Sequence, residues 1–398
     1  MTAHDVALLV GPEGLRIDVW DRYTFELSML EVGAAWTLSF WYSEQARGAW
    51  QRLTDPARGV KCGQVVTATI DDEAVLTGIV ETREVGDGGE GRSPPVFVIS
   101  GRDMLGPATA WDADPALALK GLSLEEALTR LYAGVGITAE ISESVDAAAP
   151  VGTLRRPRRG GRARRVSRRQ RHAISHPKIG EKVQAVVERI VRGLGYRVWT
   201  TPAEDSTRTV VIVDTPRNAG TPRFSLRRMI EAGRVTADSN ILSGREKTSI
   251  REAPSRVTVF SGGARGDSPS AAVAREVTNG FLFTDAALAR VDENTYERPR
   301  YVQSDQARTV EGAQQEGARL IAEANELLRR YEATVLYHRQ DGRLWVPNTL
   351  CAVRDDLVGL DETQLVVAVS FSGGKQEGPR TRVSCLPLGA LSETPVPA

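Results

Sequence analysis

Short runs in which apolar and polar residues alternate recur through the first hundred residues, and alternation at period two is the mark of half-buried strands. Arg16–Trp20 alternates, and Phe25, Leu27, Met29 and Leu30 follow it. Trp36–Tyr42, Val65–Ile70, Ala74–Val80 and Pro95–Ser100 continue the series. Asp71-Asp72 and Gly86-Asp-Gly-Gly89 punctuate it as turns. Several short strands at this spacing predict a small barrel or sandwich.

The middle of the chain has a different rhythm. Ser123-Leu-Glu-Glu126 carries the spacing of a capping box, in which the serine hydroxyl and the glutamate satisfy each other's helix-end N–H groups. Leu124, Ala127, Leu128 and Leu131 then fall on one helical face, with Gly134 or Gly136 as the stop. A second helix is expected from Ile179 to Val191, followed by strands at Tyr196–Trp199 and Thr209–Val213. The last part returns to strands at Ser255–Phe260, Glu332–Tyr337, Leu344–Val346, Gln364–Ser370 and Arg380–Cys385. A long helix over Ala307–Tyr331 interrupts them, and Asp341-Gly342 reads as a turn. The expectation is an α+β chain, predominantly β. It comprises a first β module at 1–110, a mixed α/β module at 111–218, and a second β module at 219–398 with the long helix inserted.

Composition removes several classes. The chain has 398 residues, of which 41% are hydrophobic, so real cores are available and global disorder is not expected. Its three cysteines, Cys62, Cys351 and Cys385, lie too far apart for a disulfide-built scaffold. There is no apolar run of about 18 residues, so no membrane-spanning helix is expected. Met1–Asp5 lacks a basic stretch leading into an apolar one, so no secretory signal is expected.

Lys and Arg number 51 against 51 Asp and Glu, and this balance hides an asymmetry. From Ala147 to Gly180 there is no acid, while Arg155, Arg156, Arg158, Arg159, Arg162, Arg164, Arg165, Arg168, Arg169, Arg171 and Lys178 supply eleven positive charges. The remainder therefore holds 40 basic groups against 51 acidic ones. Mutual repulsion, with Gly160 and Gly161, predicts a mobile loop over Pro150–His176 on an acidic body. Three uses of the tract are open. It binds phosphate, as DNA or anionic lipid; or it docks on an acidic protein surface; or it is solvated with no specific ligand. No aromatic residue interleaves the arginines, which disfavours stacking on single strands.

Chemistry-bearing patterns are scarce. His4, His172, His176 and His338 form no helical metal pair; His172 and His176 are four apart, but among positive charges that oppose a cation. No CxxC, GxSxG or P-loop occurs. Ser261-Gly262-Gly263 lacks the lysine of a phosphate cradle and reads as a turn. Asp355-Asp356 sit adjacent on a strand, so they point to opposite faces and read as a solvated turn rather than a catalytic pair. No catalytic, cofactor-binding or metal-ligating residue is assigned, and the chain is expected not to be an enzyme.

Several strings, taken in order, are more specific. They are Ser100-Gly-Arg-Asp-Met-Leu-Gly106, Asn240–Gly244, Arg256–Gly263, Gly342–Asn348, Val353–Leu360, Leu365–Ser372 and Thr381–Pro387. With the capped helix after the Gly-Arg-Asp string, they resemble the Mu-like phage tail baseplate hub proteins of the late control gene D family. The resemblance covers nearly the whole chain, apart from the arginine tract. It implies a homotrimer whose subunits each carry two similar β-barrels, so that six barrels form a pseudo-hexameric ring. That ring adapts a sixfold tail tube to a threefold central spike. It implies tube, spike and baseplate wedge proteins as partners, no cofactor, and a place in the virion or a phage-like particle after assembly in the host cytoplasm. Strand addition at open edges is the expected docking mode, with Trp36–Tyr42 and Leu365–Phe371 as candidate contacts. The rival reading is a nucleic-acid-binding protein that uses Arg155–Arg171. A weaker rival, a cell-wall hydrolase, finds no Glu/His constellation to support it.

Overall fold

The structure, a computed structural model, describes residues 4–11, 14–87, 94–135, 137–143, 145, 147–148, 176–192, 196–202, 209–261, 274–279, 281–282, 298–304, 310–375 and 377–391. The fold is predominantly β, as the alternation predicts. The first strands are β1 (Val6–Val10), β2 (Leu15–Ile17), β3 (Arg22–Ser28) and β4 (Ala35–Trp41). A short helix α1 (Arg47–Thr54) precedes β5 (Val65–Ile70), β6 (Glu73–Gly86), β7 (Val96–Asp103) and helix α2 (Leu105–Ala110). In β3, Tyr23, Phe25 and Leu27 are buried while their neighbours are not, and β4 repeats this with Trp36, Leu38 and Phe40. Asp71 and Asp72 both have positive φ, 53° and 62°, and join β5 to β6 as a two-residue turn whose twist suits a hairpin.

The mixed module holds α3 (Leu124–Ala133), β8 (Thr138–Ile141), α4 (Val183–Arg192), β9 (Arg197–Pro202) and β10 (Thr209–Asp214). The capping box forms: the Ser123 hydroxyl accepts from Glu126 N at 3.2 Å, and Ser123 N donates to Glu126 Oε2 at 2.9 Å. α4 starts at Val183 rather than Ile179, because Gly180 turns the chain at φ 76° and leaves Ile179 exposed. The three strands form a sheet of order β8–β10–β9, covered by the apolar faces of α3 and α4.

The remaining elements are β11 (Phe224–Arg228), β12 (Ile230–Glu231), β13 (Arg234–Val235), β14 (Ile241–Thr248), β15 (Arg256–Ser261), β16 (Ala274–Thr278) and β17 (Pro299–Ser304). After them come α5 (Val310–Asn325), β18 (Arg329–Leu336), β19 (Arg339–Gln340), β20 (Arg343–Leu344), β21 (Thr349–Asp355), β22 (Leu360–Gly374) and β23 (Arg380–Pro387). The long helix ends six residues before the expected Tyr331. Arg329–Tyr331 are taken by β18, where Tyr331 pairs with both Glu246 and Cys385. α5 packs on a separate sheet of order β16–β15–β17 through Ala313, Leu320 and Ile321. The insertion between β14 and β18 is therefore an α/β unit with its own small core.

Thirteen strands share one sheet. Its path is β14-β18-β23-β22-β3-β4-β7-β6-β5-β1-β2, with β21 pairing β22 and β11 pairing β21. The two β modules expected at the ends of the chain are thus hydrogen-bonded to each other through β22 and β3.

Candidate assembly interface

The seam between the modules follows from the length of β22. Its first half, Leu360–Val366, pairs with β21. A register shift at Val366/Ala368 follows, and Ala368–Gly374 then lie antiparallel to β3, with Ala368 opposite Ser28 and Gly374 opposite Arg22. Phe371 sits opposite Phe25, and both are fully buried.

A buried histidine locks this seam. His338 has no exposed surface. The Thr381 hydroxyl donates to Tyr337 O at 2.7 Å, so it accepts from His338 Nδ1–H at 2.9 Å. The neutral ring therefore offers Nε2 as acceptor, and the Tyr23 hydroxyl donates to it at 2.6 Å. Burial, with His4 nearby, pushes the imidazole down to about 3. His4 stacks on His338 at 5.2 Å between ring centroids and bonds Asp71, which also takes Arg339 at 2.9 Å.

The Gly-Arg-Asp string is structural at each position. A Cβ on Gly101 would lie 1.9 Å from Ile79 O, so only glycine fits beside the register shift in β6. Arg102 forks onto Glu81 at 2.7–3.0 Å. Asp103, almost fully buried, accepts from Ala34 N, Leu105 N and the Thr200 hydroxyl, the last at 2.5 Å. It thereby ties β7 to β9 of the mixed module, and burial raises its carboxyl above the ordinary range. The mixed module also meets the inserted unit through charge: Arg197 reaches Glu326 at 2.7 Å and Arg192 reaches Glu323 at 3.1 Å.

Asp355 and Asp356 do point apart, but only Asp356 is a solvated turn residue. Asp355 is fully buried, forked by Arg228 at 2.5 and 2.7 Å and bonded by the Tyr331 hydroxyl at 2.6 Å. Burial pushes its carboxyl up; the Arg228 and Tyr331 bonds outweigh this and hold it low. The pattern Asp-Asp carries no sign of this, because Arg228 lies 127 residues away.

The expected contact strands are corrected. β4 lies between β3 and β7, and β22 lies between β23 and β3, so neither Trp36–Tyr42 nor Leu365–Phe371 offers a long open edge. Alternation reports which face of a strand is buried, not which neighbours it has. Among the described residues, open edges of this sheet run along β2, β11 and β14, and along the outer side of Thr82–Gly86, beyond Ile79, the last β6 residue paired with β5. Val85 is 45% exposed and Glu84 and Lys247 are exposed.

The Arg155–Arg171 tract, with His172, lies outside the described residues; so do Gly262 and Gly263, while Ser261 ends β15. Among the described residues no three of His, Cys, Asp and Glu gather as metal ligands, and no helix is long and apolar enough to cross a membrane.

A long strand bridging two β modules, with a capped α/β unit beside them, gives the chain a fold of the phage tail type. Residues 5–103 match the family model of the Mu phage baseplate assembly protein GpP-like, N-terminal domain. The fold of the whole chain is that of solved tail proteins. The prophage MuSo2 43 kDa tail protein from Shewanella oneidensis is 20% identical, with a TM-score of 0.72, over 98% of this chain and 99% of that one. A tail protein from Neisseria meningitidis MC58 is 19% identical, with a TM-score of 0.74, over the full length of both. The prophage tail protein gp18 from Listeria monocytogenes EGD-e is 10% identical, with a TM-score of 0.54, over 96% of this chain and 94% of that one. No curated protein sequence matches this chain. The resemblance to Mu-like baseplate proteins read from the sequence holds.

Proposed function

We propose that this chain is the structural hub of a baseplate in a contractile phage tail or a related injection system. Three copies form a ring that presents six near-equivalent modules to a sixfold tube above and three subunits to a spike below. The module boundaries at 110 and 218 divide each copy into two tube-facing β-barrel modules and the mixed unit between them. Tube, spike and wedge proteins are its partners, the particle is its location after assembly in the host cytoplasm, and its work is geometric rather than catalytic.

The observation that carries this reading is the repetition of one strand order within a single chain: β3-β4-β7-β6-β5-β1 in one half of the sheet and β14-β18-β23-β22-β21-β11 in the other. A duplicated module lets cyclic threefold symmetry supply six similar surfaces. The test is native mass spectrometry together with averaged electron micrographs viewed down the ring. A mass of three times 43.2 kDa and six lobes around a channel are expected; a strictly threefold outline without six lobes overturns the adaptor role.

A further inference from the structure

The two halves share one strand order and one register slip, although β1 runs antiparallel to β5 while β11 runs parallel to β21. In β6 the register against β7 slips between Val80 and Thr82; in β22 the register against β23 slips between Val366 and Ala368. Before the slip each strand pairs with the hairpin partner that precedes it, β5 or β21. After the slip the histories differ. Ala368–Gly374 are covered by β3, the outermost strand of the other half. The equivalent segment, Thr82–Gly86, has no strand on its outer side among the described residues. The strand equivalent to β3 in the second half is β14, and β14 also pairs on one side only. One chain thus contains one filled junction and the two unfilled halves of a second junction of the same kind.

We propose that the outer edge of Thr82–Gly86 pairs antiparallel with β14 of a second copy, reproducing between copies the β22–β3 junction made within each copy. This inference rests on the ring reading and specifies its contact. The register follows from the equivalences. Trp36 and Tyr331 face Gly101 and Cys385, which face Val80 and Val366. Phe25 faces Trp36 and Glu246 faces Tyr331, so Glu246 occupies the place of Phe25. Val85 occupies the place of Phe371 by the same count along β6 and β22. Since Phe371 lies opposite Phe25, Val85 lies opposite Glu246 of the next copy, and Glu84 lies opposite Lys247.

Charge supports this register. Glu84 and Lys247 are exposed and of opposite sign, and a cross-strand pair of opposite charges favours the register that brings them together. The buried Phe25–Phe371 pair gives way to Val85 and Glu246, so the junction between copies is less apolar than the one within a copy. That difference suits edges that face water before assembly. The contact is head-to-tail, and it closes into a ring only if the rotation per copy divides a full turn.

The experiment uses the full chain with Glu84→Lys, with Lys247→Glu, and with both changes. Sedimentation velocity reads the association. Each single reversal sets like charges opposite at every junction and is expected to weaken assembly by about tenfold or more, and the double change to restore it. A second measurement pairs Glu84→Cys with Lys247→Cys in a Cys62→Ser background, since directly opposed strand residues lie within disulfide reach. The expected product on a denaturing gel is a covalent ring of three chains. Trimers that survive both single reversals and give no cross-link overturn this strand pairing and leave the ring reading standing. Wild-type protein that stays monomeric at about 100 µM overturns both.

Discussion

The Tyr23 hydroxyl donates to His338 Nε2 at 2.6 Å across 315 positions of sequence, joining β3 of one module to the turn after β18 of the other beside the β22–β3 seam. Both side chains are buried, so water does not replace the bond if it is lost. Tyr23→Phe therefore leaves an unsatisfied buried acceptor and is expected to cost about 1–3 kcal/mol in urea denaturation. An unchanged midpoint would show the bond to be incidental.

The same histidine makes stability depend on pH. In the unfolded chain His338 takes up a proton near its ordinary value of about 6.5, while in the fold it does so near 3. Between those values the unfolded state binds more protons, so stability falls as pH falls. From pH about 6.5 to pH about 5 the loss attributable to this group is about 2 kcal/mol. Comparing denaturation curves of the wild type and His338→Asn across that window isolates it. The variant is expected to be less stable at neutral pH but flatter with pH; equal slopes would refute the assignment.

Arg228 and Asp355 behave as a unit. Arg228→Ala strands a fully buried carboxylate beside Tyr331 and is expected to cost about 3–5 kcal/mol. Replacing both with Arg228→Met and Asp355→Leu is expected to recover most of that loss. A double variant as unstable as the single one would show that the ion pair has a role beyond charge compensation.

Asp103 anchors the mixed module to the sheet through Thr200. Asp103→Ala is expected to raise hydrogen exchange in β9 and in α2, whose Leu105 N loses its acceptor, while β14 and β18 keep their protection. Uniform loss of protection throughout the chain would point to global destabilisation instead.

The arginine tract is tested by deleting residues 155–171. Assembly is expected to survive. If the tract contacts phosphate, the intact protein binds DNA with an affinity that collapses between about 50 mM and about 200 mM salt, and the deletion abolishes it. A flat salt response removes that use and leaves the acidic-surface and solvated readings.

The capped helix α3, the Asp71-Asp72 and Asp341-Gly342 turns and the alternating strands were all legible in the sequence, because each depends on residues within a few positions of one another. The candidate interface was less so. Trp36–Tyr42 and Leu365–Phe371 have the apolar pattern of contact strands, yet pattern alone does not separate a central strand from an edge strand. Their neighbours were set by β3 and β22 meeting across more than 300 residues.

The amino-acid order thus determined that this chain would be mostly strand, where its capped helix α3 starts, and that its basic charge would gather in one segment. Tertiary structure alone decided that the two β modules share one sheet, that Asp355 and His338 are buried, and which edges stay open. The reason is that strand pairing runs through backbone N–H and C=O groups that every residue but proline carries alike, so the choice of partner is written in packing rather than in local sequence.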